Sequence, residues 1–172
     1  MNKLKIKRIH KKNLIAIVPK AVLESTLETQ DIQQRVQRNV LTTISKLEYY
    51  FRMFPKRFVK HAGKGSQDQE CLIGKSWATE LDITRSQFKT AFQKVGVCYS
   101  DTEFNQLQEN GKDIFQGNFY CSVVYPSENN RTYYHRNNLL IEKVVSKYLL
   151  KNSKELLATN FNFYIRERTV EV

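Results

Sequence analysis

The stretch LDITRSQFKTAFQKVGVCYS, residues 81–100, decides the fold that is predicted for this chain. Gln87 follows Thr84 by three residues, which is the capping-box pattern of a helix N-terminus. An apolar stripe then recurs at helical spacing, made of Phe88, Ala91, Phe92 and Val95. Gly96 is well placed to end the helix. The stretch therefore predicts a helix over 84–95, with one face packed inward and a polar face turned outward.

Two further helices are predicted before this stretch. Ser76 has the side chain of a helix N-cap and begins a short helix over 76–82. A tight turn joins it to helix 84–95, which gives a helix-turn-helix pattern. Upstream, an amphipathic helix over 30–52 has apolar residues at spacings of three and four, namely Ile32, Val36, Val40, Ile44, Leu47 and Phe51.

Downstream, the sequence predicts a short helix, a β-hairpin and a last helix. Ser100 and Glu103 form a second capping box, so a short helix is expected there. The apolar pattern then changes to a period of two, and PSENNR at 126–131 has the composition of a turn. We therefore predict a β-hairpin over 119–136, followed by an amphipathic helix over Asn138–Lys151.

Both ends of the chain are predicted as shorter elements. Residues 3–9 fit an edge strand or a flexible basic arm, and residues 14–18 fit a second short strand that Pro19 ends. The predicted fold class is α+β. Its parts are a basic N-terminal arm or hairpin, the helix-turn-helix domain and a C-terminal helix/strand extension packed on it, at residues 1–29, 30–152 and 153–172.

The net charge of +11 is concentrated in the first third of the chain. Residues 1–64 hold fifteen Lys and Arg against four Asp and Glu, whereas residues 65–100 hold four of each sign and residues 101–172 hold nine of each. A positive field of this size attracts polyanions. Nucleic acid is the expected partner, although an anionic membrane surface, an acidic protein and solubility alone are alternatives.

Several stretches recur together in one class of DNA-binding module: Lys75-Ser76-Trp77, 84–88, 119–125 and 131–134. In this order the chain resembles a winged-helix domain, in which a three-helix core with a helix-turn-helix is followed by a β-hairpin wing. It is similar to the winged-helix modules of replication-initiation and regulatory proteins of phages and plasmids. The resemblance covers residues 30–140 and implies a replication or transcription factor whose helix 84–95 enters the major groove of double-stranded DNA.

The two kinds of predicted DNA contact come from different parts of the chain. The outer face of helix 84–95 predicts contacts with base edges from Ser86, Lys89, Thr90 and Gln93. Contacts with the DNA backbone are predicted from Lys3, Lys5, Lys7, Arg8, Lys11, Lys12, Arg52, Lys56, Arg57, Lys60, Arg85, Lys94 and Arg131. The nearby aromatic residues fit either base stacking or a core, namely Tyr49, Tyr50, Phe51, Phe54 and Phe58.

The sequence lacks the patterns of common enzyme classes. Gly74-Lys75-Ser76 ends like a phosphate-binding loop, but Gln69 stands where the first glycine is required. Tyr133 and Tyr134 lack the His-x-His pair of a metal-dependent nicking enzyme, and the scattered cysteines and histidines predict neither a disulfide nor a metal site. No apolar run is long enough to cross a membrane, and the short apolar run near the start predicts no export signal. We expect a cytoplasmic, non-enzymatic protein without a cofactor or a membrane partner.

The segment 96–116 favours a second interpretation. It separates helix 84–95 from the hairpin and contains residues that suit a phosphate backbone poorly, namely Asp101, Glu103, Glu109 and Asp113. A protein-interaction module, acting as an adaptor or as a subunit of a replication or regulatory complex, is therefore the alternative function. A homodimer formed through helix 30–52 or helix 138–151 would enlarge the small footprint of a single helix-turn-helix.

Overall fold

A computed structural model describes residues 11–60, 76–128 and 130–152 of the chain. Within these residues, the helices are α1 (Lys11–Leu27), α2 (Gln34–Met53), α3 (Trp77–Glu80), α4 (Arg85–Phe92), α5 (Asp101–Glu109) and α6 (Asn138–Lys151). The strands are β1 (Phe58–Val59), β2 (Gly96–Ser100), β3 (Tyr120–Tyr125) and β4 (Arg131–Arg136). The predicted α+β class is confirmed.

The long helix α2 organises the main core. Val40, Ile44 and Leu47 are fully buried, as their helical spacing predicts. Helices α1 and α4 both pack against α2. The helix predicted over 30–52 is therefore confirmed, although it begins four residues later than the pattern indicated.

The strand predicted at residues 14–18 is wrong, because these residues lie within α1. The buried residues of α1 recur at helical spacing and share the main core with α2 and α6, namely Ile17, Val18, Ala21 and Val22. Pro19 lies inside the helix, where it removes one backbone hydrogen bond. A five-residue apolar run fits a strand and a buried helix equally well, and packing against two helices favours the helix here.

The helix-turn-helix pair has the predicted caps. The Ser76 hydroxyl accepts a hydrogen bond from the backbone N–H of Thr79 at 3.4 Å. In the capping box, the backbone N–H of Gln87 donates to the Thr84 hydroxyl at 3.1 Å, and the Gln87 side chain accepts from the backbone N–H of Thr84 at 2.8 Å. Asp82 adopts a left-handed conformation with φ of 52° in the turn between the helices. Both helices are shorter than predicted. α3 covers only Trp77–Glu80, and α4 ends at Phe92, after which a tight turn reaches Val95.

The four strands form one sheet in the order β1-β4-β3-β2. β3 and β4 form the predicted antiparallel hairpin, and β1 pairs antiparallel with β4. The parallel strand β2 was not predicted. It follows α4 directly because Gly96 allows a close approach: a Cβ at this position would lie 2.7 Å from the Phe92 ring. The predicted helix with a Ser100–Glu103 capping box is confirmed as α5.

The two faces of the sheet are covered by different helices. Neighbouring residues on a strand point to opposite faces. Tyr134 packs on the inner face, 5.5 Å from the Phe92 ring of α4, whereas His135 stacks on the outer face, 5.4 Å from the Phe104 ring of α5. Helices α4 and α5 therefore lie on opposite sides of the sheet. The extension predicted at 153–172 and the strand or arm at 3–9 lie outside the described residues.

Candidate nucleic-acid interface

The outer face of α4 is the candidate interface. Phe88, Ala91 and Phe92 are buried, whereas the predicted base-contacting residues are all exposed: Ser86, Lys89, Thr90 and Gln93. The Phe88 ring stacks on Trp77 with 5.1 Å between the ring centroids. Because the buried side of the helix is held by packed aromatic rings, the exposed side chains project from a firm support.

Positive charge is available along α4. Arg85 is exposed at its first residue, and Lys94 is half-buried just after its last. Among the described residues, no carboxylate forms an ion pair with Arg85, Lys89 or Lys94. The backbone carbonyl of Lys94 accepts a hydrogen bond from the Gln30 side chain at 3.0 Å, which ties this end of the helix to the segment before α2.

The acidic residues of segment 96–116 do not share the face of α4. They belong to α5 and the loop after it, on the outer side of the sheet. Glu103 closes the N-terminal capping box of α5, and hydrogen bonds from Ser100 lower the pKa of its carboxyl. Asp113 accepts hydrogen bonds from the backbone N–H groups of Phe115 and Gly117, at 2.9 Å and 3.0 Å. These two acids therefore stabilise local turns.

An open groove lies where α1, α2 and α4 meet. Its lining includes Leu23 of α1, Arg35 and Arg38 of α2 and Gln87 of α4. Both arginines are exposed. They are not among the DNA contacts predicted from the sequence. They lie three residues apart on the polar side of helix 30–52, and that spacing is the signal that would have identified them.

Lys60 was predicted as a contact with the DNA backbone, but its side chain is completely buried and does not belong to the basic surface. The Lys60 ammonium contacts the Glu80 carboxylate and lies 4.9 Å from the centroid of the Trp77 ring. Lys46 pairs with the same carboxylate at 2.7 Å, and the Tyr50 hydroxyl donates to it at 2.7 Å. Burial raises the pKa of Glu80, but these hydrogen bonds outweigh it and hold the pKa below its usual value. Lys60 therefore stabilises the fold.

A second ion pair joins the hairpin to α2. The Arg136 guanidinium donates from Nε and from one terminal nitrogen to the two carboxylate oxygens of Glu48, both at 2.9 Å. The Tyr120 hydroxyl donates to the same carboxylate at 2.8 Å. Near the tip of the hairpin, the predicted backbone contact Arg131 is half-buried, with a guanidinium nitrogen 3.9 Å from the Glu128 carboxylate.

A mixed basic and apolar patch lies at the C-terminal end of α2. Its apolar members are Tyr49, Met53 and Phe54, which are 40%, 47% and 40% exposed. Its cations are the predicted backbone contacts Arg52, Lys56 and Arg57, which are exposed. The other aromatic residues that were considered for base stacking are buried in the core, namely Tyr50, Phe51 and Phe58. Burial excludes them as a stacking surface.

The remaining predicted contacts lie at the N-terminus. Lys11 and Lys12 belong to the first turn of α1. Lys3, Lys5, Lys7 and Arg8 lie outside the described residues. Over the described part of the chain, no three potential metal ligands come together, and no helix has the length and apolar character needed to span a bilayer.

Comparisons with family models, curated proteins and solved structures gave no match.

Proposed function

We propose that this protein binds double-stranded DNA through α4 and catalyses no reaction. The observation that supports this most directly is the outer face of α4, where four exposed polar or basic side chains lie beside cations without ion-pair partners among the described residues. A helix fits the major groove, whose base edges are distinguishable by hydrogen bonding. A role in replication or transcription of a mobile element is the biological setting that we propose.

The frame that we propose for α4 is a winged helix. In its support, α2, β1, α3, α4, β3 and β4 follow one another in the chain order of such domains, and β4 lies between β1 and β3. β2 and α5 would then be additions to the frame. Because α5 lies on the far side of the sheet from α4, its acidic residues are compatible with a phosphate backbone beside α4.

Contacts with base edges would supply specificity, and contacts with phosphates would supply affinity. Lys89 and Gln93 have long side chains with donors for base edges, and Ser86 and Thr90 would act at closer range. Affinity would come from cations that neutralise phosphates, including Arg85 at the start of α4 and the patch of Arg52, Lys56 and Arg57.

A salt titration tests whether the protein binds phosphates. Purified protein is titrated into a fluorescently labelled random duplex at two salt concentrations. If about six phosphates are neutralised, affinity falls roughly a thousandfold between about 50 and about 200 mM salt. A shallow salt dependence, or no binding at the lower concentration, would contradict the proposal.

A paired variant tests the role of α4 itself. After a preferred sequence has been selected from a random pool, Lys89→Glu combined with Gln93→Ala should abolish preference for that sequence. The matched control is Lys112→Glu combined with Gln106→Ala, which makes the same changes at exposed positions after and on α5. An equal loss of sequence preference in both variants would indicate a general effect of charge. It would exclude α4 as the element that recognises base edges.

The patch at the end of α2 favours a second candidate function, which is binding of a partner protein. Tyr49, Met53 and Phe54 give it an apolar centre, and the surrounding cations fit an acidic segment that contains apolar residues. Selection of displayed random peptides on the protein should then recover acidic, apolar sequences. Their binding should be lost in Met53→Asp and kept in Leu150→Asp, a control at another exposed apolar residue. Peptides that bind both variants equally would contradict this candidate.

A homodimer through α2 or α6 is proposed for either function. Light scattering on the purified protein tests it, and a monomer at all concentrations would contradict it.

A further inference from the structure

The groove between α1, α2 and α4 is lined largely by polar side chains, two of which are arginines. Its polar lining includes Gln34, Arg35, Gln37, Arg38, Asn39 and Gln87, and none of the described residues that line it is acidic. The Gln87 side chain already accepts the backbone N–H of Thr84, and the Gln37 amide donates to the Ile32 carbonyl at 2.6 Å. The two arginines are therefore the groups of the groove best suited to bind an anion.

Arg35 and Arg38 lie on the outward side of α2. They lie one helical turn apart, and Val40, two residues after Arg38, is completely buried in the main core. Both side chains are exposed, and neither pairs with a carboxylate among the described residues. The planar guanidinium group binds phosphate oxygens through paired hydrogen bonds, so two of them on neighbouring turns suit a nucleic-acid backbone.

The N-terminus of α4 borders the groove without being the anion site itself. The Thr84 hydroxyl occupies the backbone N–H of Gln87, and the Gln87 side chain occupies the backbone N–H of Thr84. These capping bonds occupy two of the backbone N–H groups there, and the guanidinium groups of Arg35 and Arg38 are the charged donors of the groove. Because Gln87 lines the groove and Ser86 and Arg85 precede it on α4, a backbone strand that passes the start of α4 would run beside the arginines.

We infer that Arg35 and Arg38 form a phosphate-binding clamp for the DNA strand that flanks the groove entered by α4. This inference rests on the proposed function, since it supplies a contact for the same duplex. The clamp would fix the position of α4 relative to the backbone. It would add affinity for every sequence without choosing among them.

The test is the salt dependence of duplex binding by Arg35→Ala/Arg38→Ala. Loss of two phosphate contacts should lower the slope of log affinity against log salt by about two. For a wild type with about six contacts, the fall in affinity between about 50 and about 200 mM salt would shrink from roughly a thousandfold to roughly a hundredfold. The loss should be equal for the preferred sequence and for random DNA.

Two further variants separate the clamp from general electrostatics. Lys112→Ala/Lys143→Ala removes two exposed cations outside this groove, and its slope should stay close to the wild-type slope. Arg35→Lys/Arg38→Lys keeps the charge but loses the paired donors, so its slope should be retained while its affinity falls at every salt concentration. The thermal unfolding midpoint of each variant verifies that it is folded.

The outcomes distinguish the two proposals. A wild type that does not bind DNA, or binds it with a shallow slope, overturns the proposed function and the clamp together. A wild type with a steep slope that Arg35→Ala/Arg38→Ala leaves unchanged overturns the clamp alone. Equal reductions in the arginine variant and the lysine control also overturn the clamp, because the effect would then come from the net charge.

Discussion

Charged residues in the middle of α2 and those nearer its two ends are used in opposite ways. The C-terminal half supplies Lys46 and Glu48 to ion pairs with α3 and β4. The N-terminal half presents Arg35 and Arg38 to solvent without an ion-pair partner among the described residues. The contrast shows that an excess of positive charge does not by itself identify a binding surface. Burial and pairing determine which cations stabilise the fold and which are available to a ligand.

The largest effect is expected where a buried cation loses its partner. Glu80→Ala would remove the Glu80 carboxylate that the completely buried Lys60 ammonium contacts. Removing one partner of a buried pair typically costs about 3 to 5 kcal/mol, so the free energy of unfolding should fall by about that amount. Urea denaturation measures it. A loss below about 1 kcal/mol would mean that the Lys60 ammonium reaches water or other partners easily, and the distinction between paired and available cations would weaken.

The control for this prediction replaces both partners. Lys60→Met combined with Glu80→Met removes the charges together and keeps apolar volume between Tyr50 and Trp77. This variant should be more stable than Glu80→Ala, because the Lys60 ammonium is removed together with the carboxylate that it contacts. The opposite order would indicate that the ion pair itself, and not the unpaired charge, accounts for the loss.

Local signals in the sequence were sufficient to predict most of the helices and strands. The caps at Ser76, Thr84 and Ser100 have the predicted partners, because a cap depends on residues within one turn. α1 and β2 were missed for a physical reason. The apolar run of α1 becomes a helix through packing on α2 and α6, and β2 depends on pairing with β3, which begins twenty residues after β2 ends.

The candidate site was predictable in part for the same reason. The exposed face of α4 follows from helical periodicity alone. The burial of Lys60 does not, because it depends on Glu80 and Trp77, which are close to Lys60 in the fold and remote from it in the chain. A count of basic residues before position 64 treats Lys60 and Arg38 alike, although one is completely buried and the other is exposed.

His135 extends the comparison to a half-buried ionisable group whose Nε2 atom is shielded from water. Its Nε2 has no hydrogen-bond partner among the described residues, and its ring stacks on Phe104. Burial lowers the pKa of His135 to about 4, with a further contribution from the positive charge of Arg57. Between the ordinary pKa of 6.5 and this value, the unfolded chain binds more protons than the folded chain. Stability is therefore fully present above pH 6.5 and falls as the pH falls toward 4.

The expected loss across this range is about 2 to 3 kcal/mol. Urea denaturation at several pH values measures it, and His135→Phe is the matched control because it keeps an aromatic ring beside Phe104. The variant should lose less stability than the wild type between pH 6.5 and 4. Identical pH profiles for the two proteins would show that His135 is already accessible to protons in the folded state.

A smaller effect is expected when a cation keeps its charge but loses the two parallel hydrogen bonds to its carboxylate partner. Arg136→Lys retains a positive charge near Glu48 but cannot donate from two nitrogens to both carboxylate oxygens. The free energy of unfolding should fall by about 1 to 2 kcal/mol. Arg38→Lys is the control, because Arg38 is exposed and forms no ion pair among the described residues. Equal losses in both variants would contradict a special role for the paired geometry.

The smallest effect is expected from ion pairs at the surface. Lys147 and Lys151 of α6 pair with Glu28 and Glu24 across the contact with α1, and both lysines are more than half exposed. Exposed pairs gain little in water and are screened by salt. Lys147→Ala/Lys151→Ala should therefore leave the urea midpoint close to that of Lys143→Ala, which removes an exposed α6 lysine without an ion pair among the described residues. A clear loss relative to that control would mean that pairing stabilises even where water competes, and burial would then cease to separate structural cations from available ones.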